Sequence, residues 1–220
     1  TLIIIIQYFP IAVSDSELAT VIVRVNIAKF KSEKVEAIGG KVVYIAELAP
    51  VAIIRIPVRA VNKLKSLPGV LHISRDGIVK IFQPSNVPRA PSREEQPPQV
   101  IPWGVDRIGA PQAWNTTYGY IGIDGDGDSE IEVAIIDTGV DVDHPDLAAN
   151  IKWGIAVLNG RISSKYDDRN GHGTHVAGTV AALDNEIGVV GVAPSVELYI
   201  IKALNNGGLG SWSDLIIAID

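Results

Sequence analysis

A short apolar run that ends on a carboxylate constrains this chain most: Val133-Ala134-Ile135-Ile136 followed by Asp137-Thr138-Gly139. Apolar residues at consecutive positions suit a strand covered on both faces, the habit of parallel sheets. Strand-like and helix-like segments alternate around it. Glu130 to Ile136 and Val196 to Leu204 read as strands, Gly173 to Leu183 as a small-residue helix, and Trp212 to Asp220 as the start of another. That alternation predicts an α/β sandwich built on a parallel sheet. Such folds gather their ligands at the C-terminal ends of strands, where Asp137 stands.

A second segment, Asn170-Gly171-His172-Gly173-Thr174-His175, sets an imidazole in a glycine-flanked turn that opens a helix. Glycines on both sides of His172 allow a tight turn and the close approach of a substrate. A buried carboxylate beside a histidine holds one ring N–H and leaves the other nitrogen free to take a proton from a nucleophile. Asp137 and His172 would then be two members of a triad whose third is a serine. Other readings stay open on these residues alone. Asp137 could bind a ribose hydroxyl, though no Gly-x-Gly-x-x-Gly follows an early strand. His172 and His175 could ligate a metal, though a third ligand at helical spacing is absent. Both could be satisfied core residues.

The first part of the chain has another texture. Residues 20–82 read strand, helix, strand, strand, helix, strand. The strands are Thr20 to Val25, Val42 to Leu48, Val51 to Ile56 and Val70 to Ser74; the helices are Phe30 to Ile38 and Pro57 to Leu67. This βαββαβ order is the split-βαβ, ferredoxin-like arrangement. Residues 83–99 hold Pro84, Pro88, Pro91, Pro97 and Pro98 and read as an extended, protease-sensitive linker. Residues 1–19 read as the remnant of a signal peptide, with a buried first strand as the alternative. Residues 100–220 form the last expected domain. No segment is long enough to cross a membrane. There is no cysteine, which excludes disulfides and thiolate chemistry. Residues 1–82 carry 11 Lys/Arg against 6 Asp/Glu, a net of +5, and residues 100–220 carry 6 against 17, a net of −11. Opposite signs favour association of the two parts.

Longer stretches carry a resemblance. Asp137-Thr138-Gly139-Val140-Asp141 with His144-Pro145-Asp146-Leu147, and His172 through Thr179, resemble the Asp and His motifs of the subtilisin-like serine proteases. The likeness runs on through Ala181 to Asn185 and Ile187 to Pro194, and includes Ile101-Pro102-Trp103-Gly104-Val105. It implies a subtilisin-like parallel-sheet catalytic domain with Asp137 and His172 catalytic and His175 in a structural position. Residues 20–82 are similar to the family's propeptide, an intramolecular chaperone and inhibitor. The absence of cysteine, the abundant isoleucine and the long linker resemble secreted archaeal subtilisins of thermophiles. One departure stands out: no serine here, Ser195, Ser211 and Ser213 included, lies in the Gly-Thr-Ser-Met-Ala type of segment that carries the family's nucleophile. The chain is therefore expected to be a fragment, inactive alone.

The resemblance also implies a calcium site built from Gln99, Asp146, Asn185 and the carbonyls of Leu183, Ile187 and Val189, a set of hard oxygens. Asp124, Asp126 and Asp128 form a second acidic cluster, either a calcium loop or a solvated loop. Leu204, Gly208, Leu209 and Gly210 match the edge that pairs with an extended peptide, and Trp212 would line the neighbouring pocket. The propeptide is expected to end at Phe82, its tail lying along that edge. The resulting expectation is the precursor of a secreted, monomeric, calcium-dependent serine endopeptidase acting on polypeptides, with no nucleic-acid or membrane partner. Its rival is a non-enzymatic propeptide-type inhibitor module.

Overall fold

The computed structural model describes residues 17–82, 97–114 and 131–220. Residues 1–16 of the segment 1–19 expected as a signal-peptide remnant, most of the linker and the acidic cluster at Asp124, Asp126 and Asp128 lie outside them, while Leu18 and Ala19 of that segment begin a strand. The chain divides into two compact units: residues 1–80 with 157–161 and 209–220, and residues 81–156 with 162–208.

The first unit opens with β1 (Leu18–Val25), α1 (Ser32–Glu36), β2 (Lys41–Ile45), β3 (Val51–Pro57), a single 3₁₀ turn leading into α2 (Val61–Lys65), and β4 (Val70–Arg75). The sheet order is β2-β3-β1-β4, every pair antiparallel. That is the expected βαββαβ arrangement, with helices shorter than the sequence suggests. Alternation fixes its register: Val21, Val23 and Val25 of β1 and Ala52, Ile54 and Ile56 of β3 all turn inward, where α1 and α2 add Val35 and Leu64. A one-residue slip would turn this set out to solvent. β5 (Ile78–Lys80) follows and pairs antiparallel with β10 (Leu209–Ser211), Leu209 facing Lys80, Gly210 facing Val79 and Ser211 facing Ile78.

Later residues complete this unit. Of α6 (Trp212–Ile219), Ser211 is the N-cap, its Oγ accepting from Asp214 N at 3.0 Å. The Asp76 carboxylate accepts from Ser213 N at 3.0 Å and from Ser213 Oγ. These acceptors satisfy first-turn N–H groups that a helix cannot satisfy itself. Asp214, 3% exposed, accepts from Asn159 N (2.9 Å) and Gly160 N (2.7 Å). Asn159 and Gly160 both have positive φ, 55° and 71°, the backbone of a two-residue hairpin turn. Past α6, the Asp220 carboxylate accepts from Tyr44 Oη (2.8 Å), Glu47 N (2.8 Å) and Leu48 N (2.7 Å). These donors hold its pKa below the ordinary carboxylate value, the two backbone N–H groups first and then Tyr44.

The second unit contains α3 (Trp103–Arg107), α4 (Ala110–Trp114), β6 (Glu132–Asp137), most of β7 (Ile151–Leu158) and β8 (Arg161–Ser163), α5 (His172–Ala181) and β9 (Glu197–Lys202). The sheet order is β6-β9-β7-β8, and β9 is parallel to both β6 and β7. The apolar runs thus form a parallel sheet, as expected. α5 lies against β6 through Gly173, Ala177 and Ala181, buried residues four apart on one face. Only small side chains let helix and sheet come that close. The core beneath joins Ile135, Leu147, Leu198 and Ile200 to that face. The sequence reading missed α3, α4 and the β7–β8 hairpin.

Candidate active site

β6 ends on Asp137, which is 6% exposed and oriented by its surroundings. Its carboxylate accepts from Thr138 N at 2.6 Å, and its main-chain carbonyl accepts from Ala203 N and Leu204 N, each at 3.0 Å. α5 begins on His172. His172 Nδ1 lies 2.8 Å from both Asp137 oxygens. An ionised carboxylate has no proton to give, so Nδ1 carries the hydrogen and Nε2 is left as a base.

The glycines around His172 have distinct reasons. Gly171 is the N-cap at φ 97°, in the left-handed region that glycine enters without a steric penalty. Gly173 is glycine because a β-carbon there would collide with the Gly139 carbonyl oxygen. Its N–H donates to Thr138 Oγ1 at 2.9 Å, so one Thr138 residue ties both Asp137 and the start of α5.

Asp168, unnoticed in the sequence, braces the same turn. Its carboxylate accepts from Asn170 N (2.9 Å), Gly171 N (3.1 Å), Thr174 N (3.0 Å) and Thr174 Oγ1 (2.7 Å). Burial pushes its pKa up, but these hydrogen bonds outweigh burial and leave it below the usual value. The signal was present: an acidic residue just before a helix start is a capping candidate. Lys202 was missed too. It is 4% exposed, stands opposite Asp137 in the β6–β9 register, and donates through Nζ to the Thr138 carbonyl.

The alternatives for these residues lose support. Asp137 is engaged by His172 and Thr138 N, not presented to a ribose. His172 Nδ1 is committed to Asp137, and among the described residues no third His, Asp or Glu side chain joins His172 and His175 in a cluster.

The residues expected to bind calcium contact one another around the 183–189 loop, with Gln99, Ile187 and Val189 engaged here through N–H groups. Leu183 N donates to the Asp146 carbonyl (3.0 Å), while Asn185 Nδ2 (2.8 Å) and Val189 N (3.0 Å) donate to its carboxylate. Ile187 N donates to Asn185 Oδ1 at 2.7 Å. Gln99 Nε2 donates to the Leu183 carbonyl at 2.8 Å, and Gln99 N to Glu186 O at 3.0 Å. Asp146 is 1% exposed, and among the described residues no lysine or arginine pairs with it. Asp146 is thus a buried carboxylate held by N–H donors; together with the side-chain amides of Gln99 and Asn185 and the Leu183 carbonyl, these residue types supply the hard oxygens that suit a calcium ion.

The expected substrate residues are distributed as follows. Leu204 is 4% exposed, behind Asp137; Gly208, at φ 71°, accepts through its carbonyl from Ile81 N at 3.0 Å. Leu209 and Gly210 sit in β10. Trp212 N donates to the Gly77 carbonyl at 3.0 Å, and its ring covers Gly77. Phe82, the expected end of the propeptide, is 68% exposed.

With this geometry in view, comparison with known proteins places the class. Residues 128–220 match the model of the subtilase family. The chain belongs to that family, the subtilisin-like serine proteases. It is similar to subtilisin E of Bacillus subtilis, 35% identical over 190 residues that span 86% of this chain and 43% of that protein. It also resembles an alkaline protease of Shouchella clausii (40% identity, 77% of this chain, 37% of that protein) and subtilisin Savinase of Lederbergia lenta (50% identity, 53% and 39%). The chain thus spans less than half the length of these relatives.

Proposed function

We propose that this chain is part of the precursor of a secreted, calcium-dependent serine endopeptidase. The observation that carries the reading is the 2.8 Å contact of His172 Nδ1 with a buried carboxylate at a strand end. Asp137 fixes the tautomer and orientation of the ring. His172 Nε2 takes the proton of a serine hydroxyl as that oxygen attacks the scissile carbonyl, then gives it to the departing amine. The serine is expected in sequence following residue 220. Residues 20–82 act as propeptide, and their tail occupies the substrate edge. The β5–β10 ladder supports this, because antiparallel main-chain pairing is how an extended peptide is held with little regard to sequence. Maturation then cuts at Phe82–Gln83. Calcium, bound by Gln99, Asp146, Leu183, Asn185, Ile187 and Val189, would neutralise the Asp146 charge and lock the 183–189 loop.

The test is hydrolysis of a peptide anilide by the product of the complete gene. Cleavage should be abolished by a serine-directed phosphonylating reagent. It should also be lost in His172→Ala; in subtilisin itself that loss is about 10⁶-fold in kcat, a figure carried over from that relative. The 220-residue chain alone should show no turnover. Hydrolysis that survives in repurified His172→Ala would overturn the reading.

A further inference from the structure

The mechanism above leaves one buried cation unused. Lys202 ends β9 with 4% of its surface exposed, and its Nζ is bound to the Thr138 carbonyl. A lysine is rarely buried this far unless fixed charges hold it there. Its neighbours are acidic. Asp137 faces it in register from β6, and Asp167 and Asp168 lie in the loop ahead of α5; Ala156, its partner on β7, carries no charge. Arg169 in that loop acts against them. Burial lowers the pKa of the ammonium, and Asp168, Asp167 and Asp137 pull it back up.

Two of these carboxylates also bear on the segment that carries His172. Asp137 touches its ring, and Asp168 holds the backbone on either side of it at Gly171 and Thr174. His175, one turn on, is exposed. A carboxylate beside an imidazole favours its protonated form, and a cation nearby opposes it. We propose that Lys202 is a positioning and field-setting residue: its ammonium clamps the Thr138 carbonyl and offsets Asp137 and Asp168, holding His172 in its neutral, proton-accepting form. The inference rests on His172 acting as the general base.

The experiment is an NMR titration of the His172 ring in the 220-residue chain, which needs no nucleophile. In Lys202→Met the pH at which the ring takes up its proton should rise by about one unit, the scale of a unit charge acting across several ångströms of protein. Lys202→Arg, which keeps the charge, should move it much less. Asp168→Asn should move it the opposite way, and should Lys202→Met fail to fold, Lys202→Gln gives the same reading with the charge removed and a polar end kept. A titration curve of the charge-removing Lys202 variant coincident with wild type would overturn the proposal. In the complete enzyme, the acid limb of kcat/KM should shift with the ring. Absence of hydrolysis in wild type would defeat the protease reading and leave the NMR result standing.

Discussion

Asp168 shows how much one carboxylate can organise. It gathers three N–H groups and a hydroxyl at the start of α5, where the helix would otherwise leave donors unmet. Because these bonds favour the ionised form, its folded-state pKa lies below the ordinary 3.8. Its stabilising contribution is therefore complete above that value and is lost as the pH falls through the lower, folded one. Asp168→Asn should lower stability at pH 7 by about 1–2 kcal/mol, the usual worth of charge-assisted hydrogen bonds. Denaturant melts of both proteins at pH 7 and at successively lower pH give the check. The gap should close in acid; a gap independent of pH would count against this account.

At the scale of elements, the 183–189 loop makes a sharp prediction. Its polar contacts converge on Asp146, so an ion bound there would tie Gln99 and the loop to the segment after β6. At a calcium concentration a hundredfold above Kd the stabilisation is about 2.7 kcal/mol, which should raise Tm by several degrees relative to a chelated sample. Asp146→Ala with Asn185→Ala should abolish the rise, and an equal rise in that variant would refute the site. Strands β1 to β4, β6 and β9 were legible in the sequence because burial on one or both faces dictates their composition: alternating Val in β1, apolar runs in β6 and β9. The hairpin of β7 and β8 was missed although Asn159-Gly160 is a strong turn signal, because its flanking residues neither alternate nor run apolar for long. Asp137 and His172 were legible through their glycine and threonine neighbours. Lys202 was not: a lysine closing an apolar strand reads as the point where the strand meets solvent, and only the fold shows it turned inward.

At the scale of the molecule, the opposite charges of the two parts of the sequence suggested attraction between lysines and carboxylates. The contacts described within the first unit are of another kind. Asp76 meets a helix N-terminus, and Asp220 meets two backbone N–H groups and a tyrosine. Such bonds depend on direction more than on net charge. The Asp220 pKa is lowered, so its bonds hold above the ordinary carboxylate value of 3.8 and weaken as the pH falls through its folded value. In a precursor cut between residues 82 and 83, Asp220→Ala should weaken inhibition by residues 20–82 roughly threefold to tenfold, as losing hydrogen bonds to an exposed carboxylate would. Activity titrated against added 20–82 segment measures this, and unchanged inhibition would remove Asp220 from the account.

The ladder of residues 78–80 with 209–211 has a consequence of its own. While the chain is continuous, closing it is an intramolecular event, and its equilibrium is the same in a dilute sample as in a concentrated one. A single cut in residues 83–99 changes the order of that equilibrium. The same three paired residues then hold two molecules, and their association acquires units of concentration. Dilution, which does nothing to the intact chain, becomes a way to separate the strand from its partner.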